Sequence, residues 1–89
     1  MELLLNAAKV DDVAAIRRLA AEGTDVNVKD VQEMTPLHYA AHHGHVDAVR
    51  VLEELGAELE ACDGDGAKPL HWAANQGRVE VVKTLIELG

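Results

Sequence analysis

Five histidines in this 89-residue sequence could suggest a metal site. His38 and His42 are spaced i, i+4, which places both imidazoles on one face of a helix, and His43 and His45 follow closely. A zinc-protease helix carries a glutamate directly after its first histidine as the general base, and here that position holds Tyr39. No thiol or carboxylate stands at a recognisable metal-ligand spacing from these histidines. The pattern predicts no metal site and no cofactor.

Nucleophilic catalysis has equally little support in the sequence. The chain contains no serine, and its one thiol, Cys62, lies among acidic residues without the neighbouring base that a nucleophile requires. The stretch from Gly64 to Gly66 reads as a turn rather than as a phosphate-binding loop. We therefore expect a protein that is not an enzyme. A single cysteine suits a reducing compartment, which predicts the cytosol or the nucleus.

The segments that must position these residues are repeated along the chain. The stretch from Thr35 to Ala41 (TPLHYAA) comes back 33 positions later as Lys68 to Ala74 (KPLHWAA). The register continues, pairing Gly44 with Gly77, Val46 with Val79, Val49 with Val82, Leu52 with Leu85 and Gly56 with Gly89. The N-terminal segment falls into the same register through Leu4, Ala7, Ala8, Val13, Ile16, Leu19 and Gly23. The sequence is thus a repeat array of two complete units and most of a third.

Each unit carries the signals of two antiparallel helices. Thr35 can cap a helix that continues with Pro36 at its first position, and Gly44 can end that helix in a left-handed conformation. A second helix follows, with an apolar residue at every third position until Gly56 ends it: Val46, Val49, Leu52 and Leu55.

A 33-residue unit that opens with Thr-Pro-Leu-His-x-Ala-Ala and closes its second helix with Gly-Ala resembles the ankyrin repeat. The resemblance covers essentially all 89 residues. It implies an all-α fold, an ankyrin-repeat α-solenoid of helix-turn-helix units with short β-hairpin fingers. We expect residues 1–89 to form a single array, with units of about 1–30, 31–63 and 64–89.

Three residues depart from the family pattern. Glu33 occupies a turn position that Gly66 fills in the next finger, where positive φ favours glycine, so the first finger is expected to be rearranged or more mobile. Lys68 replaces the capping hydroxyl that Thr35 supplies in the preceding unit. Glu53 stands where similar repeats carry leucine. A carboxylate there requires either that solvent reaches the site or that the helix rotates about its axis.

The two ends of the array differ in polarity. In the first unit we expect helices over about Leu3 to Lys9 and Val13 to Glu22, with carboxylates at Asp11 and Asp12 favouring the start of the second helix. This polar opening is typical of a capping unit. The last helix, roughly Val79 to Leu88, has no following unit over its apolar face. Either the chain is cut from a longer array, or this face associates with another copy or with a partner.

The acidic composition limits the classes of partner. A net charge of −8 argues against nucleic acid and against anionic membranes, and it favours a partner with a basic surface. The apolar run from Leu3 to Leu5 is too short for a signal peptide, and no stretch approaches the roughly 20 apolar residues of a membrane span.

The resemblance implies a non-enzymatic protein-protein interaction module that binds through its fingers and the concave surface of its lead helices. The alternative is a scaffold or capping fragment without a ligand of its own. Tyr39 and Trp72 could be recognition anchors, although packing is the simpler interpretation. Leu19, Asp25, Val26 and Asn27 resemble the setting in which asparaginyl hydroxylases modify ankyrin repeats, although an asparagine making turn hydrogen bonds is the favoured interpretation of Asn27. The candidate partner-binding residues are Lys29, Val31, Gln32, Met34, His42, His43, Asp65, Ala67, Asn75 and Gln76.

Overall fold

The computed structural model describes residues 3–89, and this part of the chain folds into six helices. They are α1 (Leu3–Lys9), α2 (Val13–Ala21), α3 (Pro36–His43), α4 (Val46–Glu54), α5 (Pro69–Asn75) and α6 (Val79–Leu88). The first helices of the pairs, α1, α3 and α5, pack side by side in one layer, and the second helices, α2, α4 and α6, form the other. The predicted bounds of α1 and α6 are confirmed. Helix α2 ends one residue earlier than expected, with Glu22 as its C-cap.

The start of α3 shows how the repeated motif specifies a lead helix. The Thr35 hydroxyl accepts a hydrogen bond from the His38 N–H at 3.3 Å, and Nδ1 of His38 accepts one from the Thr35 N–H at 3.1 Å. This reciprocal pair satisfies two backbone donors that a helix start leaves without partners. Gly44 ends the helix at φ 79°, as predicted.

The two acidic residues before α2 have separate tasks. Asp12 is the N-cap, and its side chain accepts from the Ala15 N–H at 3.1 Å. Asp11 adopts φ 60°, the conformation of Gly44 and Gly77 at the equivalent positions, and its carboxylate accepts from the Ala48 N–H at 3.2 Å. Asp11 therefore joins the first unit to the second, which adds to its favourable position at a helix start.

The core lies between the two helix layers, and its pattern in the second helices differs from the predicted one. Val49 and Leu52 are fully buried, but Ala48 and Val51 are buried beside them, while Val46 is only partly covered. A strict spacing of three drifts around a helix of about 3.6 residues per turn, so the buried face must alternate steps of three and four. The predicted stripe was therefore too narrow.

The same correction applies to the last helix. Leu85 is buried as predicted, but Val81 and Thr84 are buried beside it, whereas Val82 is only partly covered. The Thr84 hydroxyl is accommodated because it donates to the Glu80 carbonyl oxygen at 2.8 Å.

The predicted β-hairpin character of the fingers is not confirmed, because no strand occurs within residues 3–89. In the first finger the Asp30 carboxylate accepts from the N–H groups of Gln32 and Met34, both at 2.9 Å. In the second finger Asp63 accepts in the same way from Asp65 and Ala67, again at 2.9 Å. In each finger the aspartate side chain thus accepts hydrogen bonds from backbone N–H groups that could otherwise pair with a neighbouring strand. The fingers are therefore turns.

Glu33 has the positive φ that its position predicts, at 63°, and its counterpart Gly66 lies at 81°. The first finger is nevertheless not rearranged, because Asp30 holds it with the same hydrogen bonds that Asp63 makes in the second. The turn is specified by the aspartate, and Glu33 adopts the backbone that the turn imposes.

The two remaining departures behave as predicted. Lys68 makes no side-chain capping bond, and its ammonium instead pairs with Glu60 at 2.8 Å. The Lys68 N–H still donates to Nδ1 of His71 at 3.0 Å, so one half of the capping arrangement survives. Glu53 is only partly buried, which leaves its side chain access to solvent.

Candidate binding groove

A groove of about 270 Å³ opens between the two fingers and the lead helices α3 and α5. Its lining mixes two aromatic rings and a thioether with two carboxylates, an amide and an imidazole. The lining residues are Gln32, Met34, Tyr39, His42, Asp63, Asp65 and Trp72. A mostly apolar concavity with a few polar groups has the composition of a recognition site.

The two aromatic residues are held by the aspartates that build the fingers. The Tyr39 hydroxyl donates to Asp30, and Nε1 of Trp72 donates to Asp63 at 2.8 Å. In each pair the aromatic residue follows its aspartate by nine positions. Each aspartate therefore shapes a finger with one carboxylate oxygen and fixes a ring of the groove with the other.

Asp63 is a buried anion at the groove, with 7% of its surface exposed. Burial raises its pKa, but the hydrogen bonds from the Ala67 N–H, Trp72 and the Asp65 N–H outweigh burial and hold the pKa below its usual 3.8. The pKa of Asp30 is lowered in the same way, by bonds from Tyr39 and two backbone N–H groups that oppose burial. Both carboxylates are therefore negatively charged at neutral pH.

Three of the five histidines, His42, His43 and His45, gather at the C-terminal end of α3. The His42 ring contacts Trp72 edge to face at 5.2 Å between centroids, and it contacts His43 at 4.6 Å. His43 stacks on His45 at 5.9 Å, and its pKa is lowered, first by burial and then by the neighbouring histidines and cations. Within residues 3–89 no group of three potential ligands is placed to hold a metal ion.

A cation already contacts the first of the two rings. The ammonium of Lys9, at the end of α1, lies 4.6 Å from the centroid of the Tyr39 ring. Its charge also helps to lower the pKa of Asp30. Lys9, Tyr39 and Asp30 thus form a compact group of cation, ring and anion across the first two units.

The groove brings together only part of the predicted partner-binding set, namely Gln32, Met34, His42 and Asp65. Met34 is only 6% exposed, so it contributes little to the accessible surface. Val31 is 98% exposed at the tip of the first finger. His43, Asn75 and Gln76 are exposed at the ends of the lead helices, outside the groove lining.

Two of the predicted residues make structural contacts with a neighbouring unit. The Lys29 ammonium donates to the Cys62 carbonyl oxygen at 3.1 Å, tying the first finger to the second. The Ala67 carbonyl oxygen accepts from Nε2 of His38 at 2.9 Å. Cys62 itself is exposed, as predicted.

Asp63 was missed as a groove residue, and Tyr39 and Trp72 were favoured as packing residues. The structure shows that Tyr39 packs on the core and also lines the groove, whereas Trp72 lines the groove and contacts His42. The signal was available in the sequence, because an aspartate precedes the aromatic residue by nine positions in both copies.

The units are joined by polar contacts that repeat with the sequence period. Arg17 pairs with Glu54 at 3.1 Å, and Arg50 pairs with Glu87 at 3.3 Å, 33 positions further along in both partners. The same ion pair thus recurs between successive units, and each exposed pair contributes only about 0–1 kcal/mol.

A second repeated contact lies at the ends of the lead helices. Nε2 of His45 donates to the Lys9 carbonyl oxygen at 2.8 Å, and Nε of Arg78 donates to the His42 carbonyl oxygen at 3.1 Å. In each case a cationic or imidazole donor from one unit caps the last carbonyls of the preceding lead helix.

Asn27 forms a bridge of its own to the next unit. Its amide nitrogen donates to the Gly56 carbonyl oxygen at 3.2 Å, and its amide oxygen accepts from the Glu58 N–H at 2.8 Å. These bonds extend further than the local turn bonds that the sequence suggested.

Stacked helix pairs joined by turns, with a groove along the turn side, define an α-helical repeat protein. The family model described as "Ankyrin repeats (3 copies)" matches residues 4–89, and the chain belongs to the ankyrin repeat family. Members of this family are generally protein-interaction modules and are typically not enzymes. No helix within residues 3–89 is long and apolar enough to span a membrane.

The similar proteins share about half of the chain. It is 47% identical over 45 residues to the protein VAPYRIN-LIKE of Medicago truncatula, covering 51% of this chain and 10% of that protein. It is 50% identical over 46 residues to the human ankyrin repeat domain-containing protein 49, covering 51% of this chain and 19% of that protein. A match of 48% over 44 residues to the rat mitochondrial liver glutaminase covers 49% of this chain and only 7% of the enzyme. The chain therefore corresponds to a small part of each relative.

Proposed function

We propose that this protein binds another protein through the groove, the finger tips and the adjoining ends of α3 and α5. The observation that carries the proposal is the groove itself, whose two rings are oriented by hydrogen bonds to Asp30 and Asp63. Aromatic side chains held in fixed positions supply large contact areas at low entropic cost, as hot-spot residues in interfaces do. The exposed residues around it, Val31, His43, Asn75 and Gln76, form the rim of this binding surface.

The charge of the chain favours a basic partner. The chain has 16 acidic residues but only 8 lysines and arginines. Such a surface steers cationic proteins toward it and repels nucleic acid and anionic lipid. We place this activity in the cytoplasm or the nucleus, where a single unpaired cysteine such as Cys62 remains reduced.

The alternative is that these units only space or cover other domains and bind nothing through the groove. The exposed apolar residues of α6 support it, because Val79 is 61% and Ile86 is 65% exposed. This face would then be covered by another unit, by a partner or by a second copy of the chain. Hydroxylation of Asn27 is a separate proposal. The side-chain amide of this residue bridges two units.

Affinity purification with two matched variants separates these functions. The groove variant carries Val31→Ser, Gln32→Ala and Asp65→Asn, and each of these positions is exposed. The control variant carries Asp47→Asn, Glu80→Ala and Lys83→Ala, which lie exposed on the second helices and change the net charge by the same amount as the groove variant. We expect a specific partner from cell extract to be retained by the control and lost by the groove variant. Equal retention by both variants would favour the scaffold function.

A further inference from the structure

The first inter-unit contact shows how this fold accommodates an ammonium group on its own surface. Lys9 lies 4.6 Å from the centroid of the Tyr39 ring, whose hydroxyl donates to the Asp30 carboxylate. The cation thus meets an aromatic face and a nearby negative charge together, and both attract it.

The second inter-unit contact repeats the ring and the anion but not the cation. One period further along, Trp72 and Asp63 replace Tyr39 and Asp30. Here Nε1 of Trp72 donates to the Asp63 carboxylate at 2.8 Å. The position of Lys9 is taken by His42, whose shorter side chain meets the Trp72 ring edge to face at 5.2 Å. Within residues 3–89 no lysine or arginine forms an ion pair with Asp63.

The space beside these residues is the groove, and it is negatively charged. Asp63 is a buried carboxylate in its wall, and the exposed Asp65 adds a second. Its volume, about 270 Å³, lies just below the roughly 300–1,000 Å³ of pockets that hold drug-sized ligands. It is therefore suited to a single long side chain.

We propose that the groove binds a lysine side chain of a partner protein, placing its ammonium against Trp72, Asp63 and Asp65 as Lys9 is placed against Tyr39 and Asp30. The proposal deepens the protein-binding function and rests on it. The methylenes of the lysine would contact the rings, while the ammonium reaches the carboxylates, which is how long cationic side chains bury their stems.

The sole tryptophan of the chain lies in this groove, so its fluorescence reports directly on occupancy. The probe is a nonapeptide of glycines and serines with one central lysine, and its control replaces the lysine by norleucine. Norleucine keeps the apolar stem and removes the charge. We expect the lysine peptide to change Trp72 emission saturably and to bind about fivefold or more tighter than the control, as a cation–π contact with a partly exposed ion pair predicts.

Two variants test the placement of the ammonium. His42→Lys installs the lysine of the first contact at the second, and we expect it to occupy the site internally and abolish peptide binding. Asp65→Asn should weaken binding about two- to fivefold, the range of an exposed ion pair. Asp47→Asn changes the net charge equally on the exposed start of α4, and it should leave the affinity unchanged.

Circular dichroism of each variant confirms that the helices are retained. Equal affinities of the lysine and norleucine peptides, or no binding of the lysine peptide at all, would overturn the proposal. So would normal binding by a folded His42→Lys protein. If in that case the groove variant still loses its extract partner, the protein-binding function stands without a lysine in the groove.

Discussion

His38 donates a hydrogen bond from Nε2 to the carbonyl oxygen of Ala67 at 2.9 Å, so a buried imidazole of one unit holds the finger of the next. The carbonyl can only accept, which fixes the proton on Nε2 and leaves Nδ1 to accept from the Thr35 N–H. Both ring nitrogens are thus satisfied in the neutral tautomer. A second proton, on Nδ1, would remove the acceptor of the Thr35 N–H.

This arrangement predicts a fall in stability in mild acid. Burial lowers the pKa of His38 below its ordinary 6.5, and the bond to Ala67 only partly opposes burial. The unfolded chain therefore takes up a proton first. The free energy of unfolding should be highest above pH 6.5 and should decrease as pH falls from there toward the folded pKa. Urea denaturation at half-unit pH intervals measures this slope.

Substitution of the buried histidine tests the origin of the acid effect. His38→Asn should reduce the slope, because it removes the imidazole whose pKa is lowered by burial. His43 contributes in the same direction, because its pKa is also lowered, so a residual slope remains. The lowered pKa values of Asp30 and Asp63 act below their usual 3.8, in a separate range of pH. An unchanged slope in His38→Asn would contradict the assignment.

The lead helices allow a matched test of capping. Thr35→Ala should reduce stability by about 1–2 kcal/mol, because the buried hydroxyl both accepts from the His38 N–H and contacts its ring at 2.8 Å. Lys68→Thr should raise the urea midpoint, since it adds the missing cap and loses only an exposed ion pair with Glu60. If the Lys68→Thr midpoint were lowered instead, the ion pair would contribute more than a cap.

The two fingers provide a reciprocal test of backbone strain. Glu33→Gly should be neutral or stabilising by up to about 1 kcal/mol, because glycine adopts φ 63° without steric cost. The gain is partly offset by the larger entropy of glycine in the unfolded chain. Gly66→Ala should lose about 1 kcal/mol. A Cβ at Gly66 would meet no atom within 4 Å, so the loss would be purely conformational. A clear destabilisation by Glu33→Gly would mean that the Glu33 side chain contributes more than its backbone costs.

Helix α6 should open before α4. Helix α4 packs between α2 and α6, whereas α6 contacts α4 and α5 and leaves Val79 and Ile86 exposed. A unit with one neighbour is less stable than a unit with two. We expect the amides of residues 79–88 to exchange faster than those of α4 in a dilute sample.

A concentration series then separates fraying from association. Fast exchange in α6 at every concentration means that the helix frays, and protection that grows with concentration means that copies cover its outer face. Amides of α6 that exchanged slowest in a dilute monomer would contradict the nearest-neighbour description of this array.

The sequence predicted the helices well because their signals are local and repeated. Thr35, Pro36 and Gly44 lie within one helix or at its ends, so capping rules apply directly. The groove was harder to predict, because Trp72 is oriented by Asp63, which precedes it by nine positions on the other side of the finger turn. The turn character of the fingers was missed for a related reason. The Asp30 side chain takes the backbone donors on which a strand prediction depends.

The ion pairs between second helices give the array two different ends. Arg17 pairs with Glu54, and Arg50 pairs with Glu87. By the same 33-residue period, a further unit stacked on α6 would place an acidic residue opposite Lys83. The first unit carries Ala21 at the position equivalent to Glu54. A second copy stacked head to tail would therefore set Lys83 against a methyl group.

If copies associate through the exposed face of α6, a head-to-tail contact would lack the ion pair that joins successive units, whereas a two-fold contact between two such faces does not depend on it. A two-fold contact uses the same surface of both copies and closes on itself, whereas head-to-tail contacts propagate into filaments. Any assembly that concentration induces should stop at a dimer, and it should leave both grooves on its outside available to a ligand.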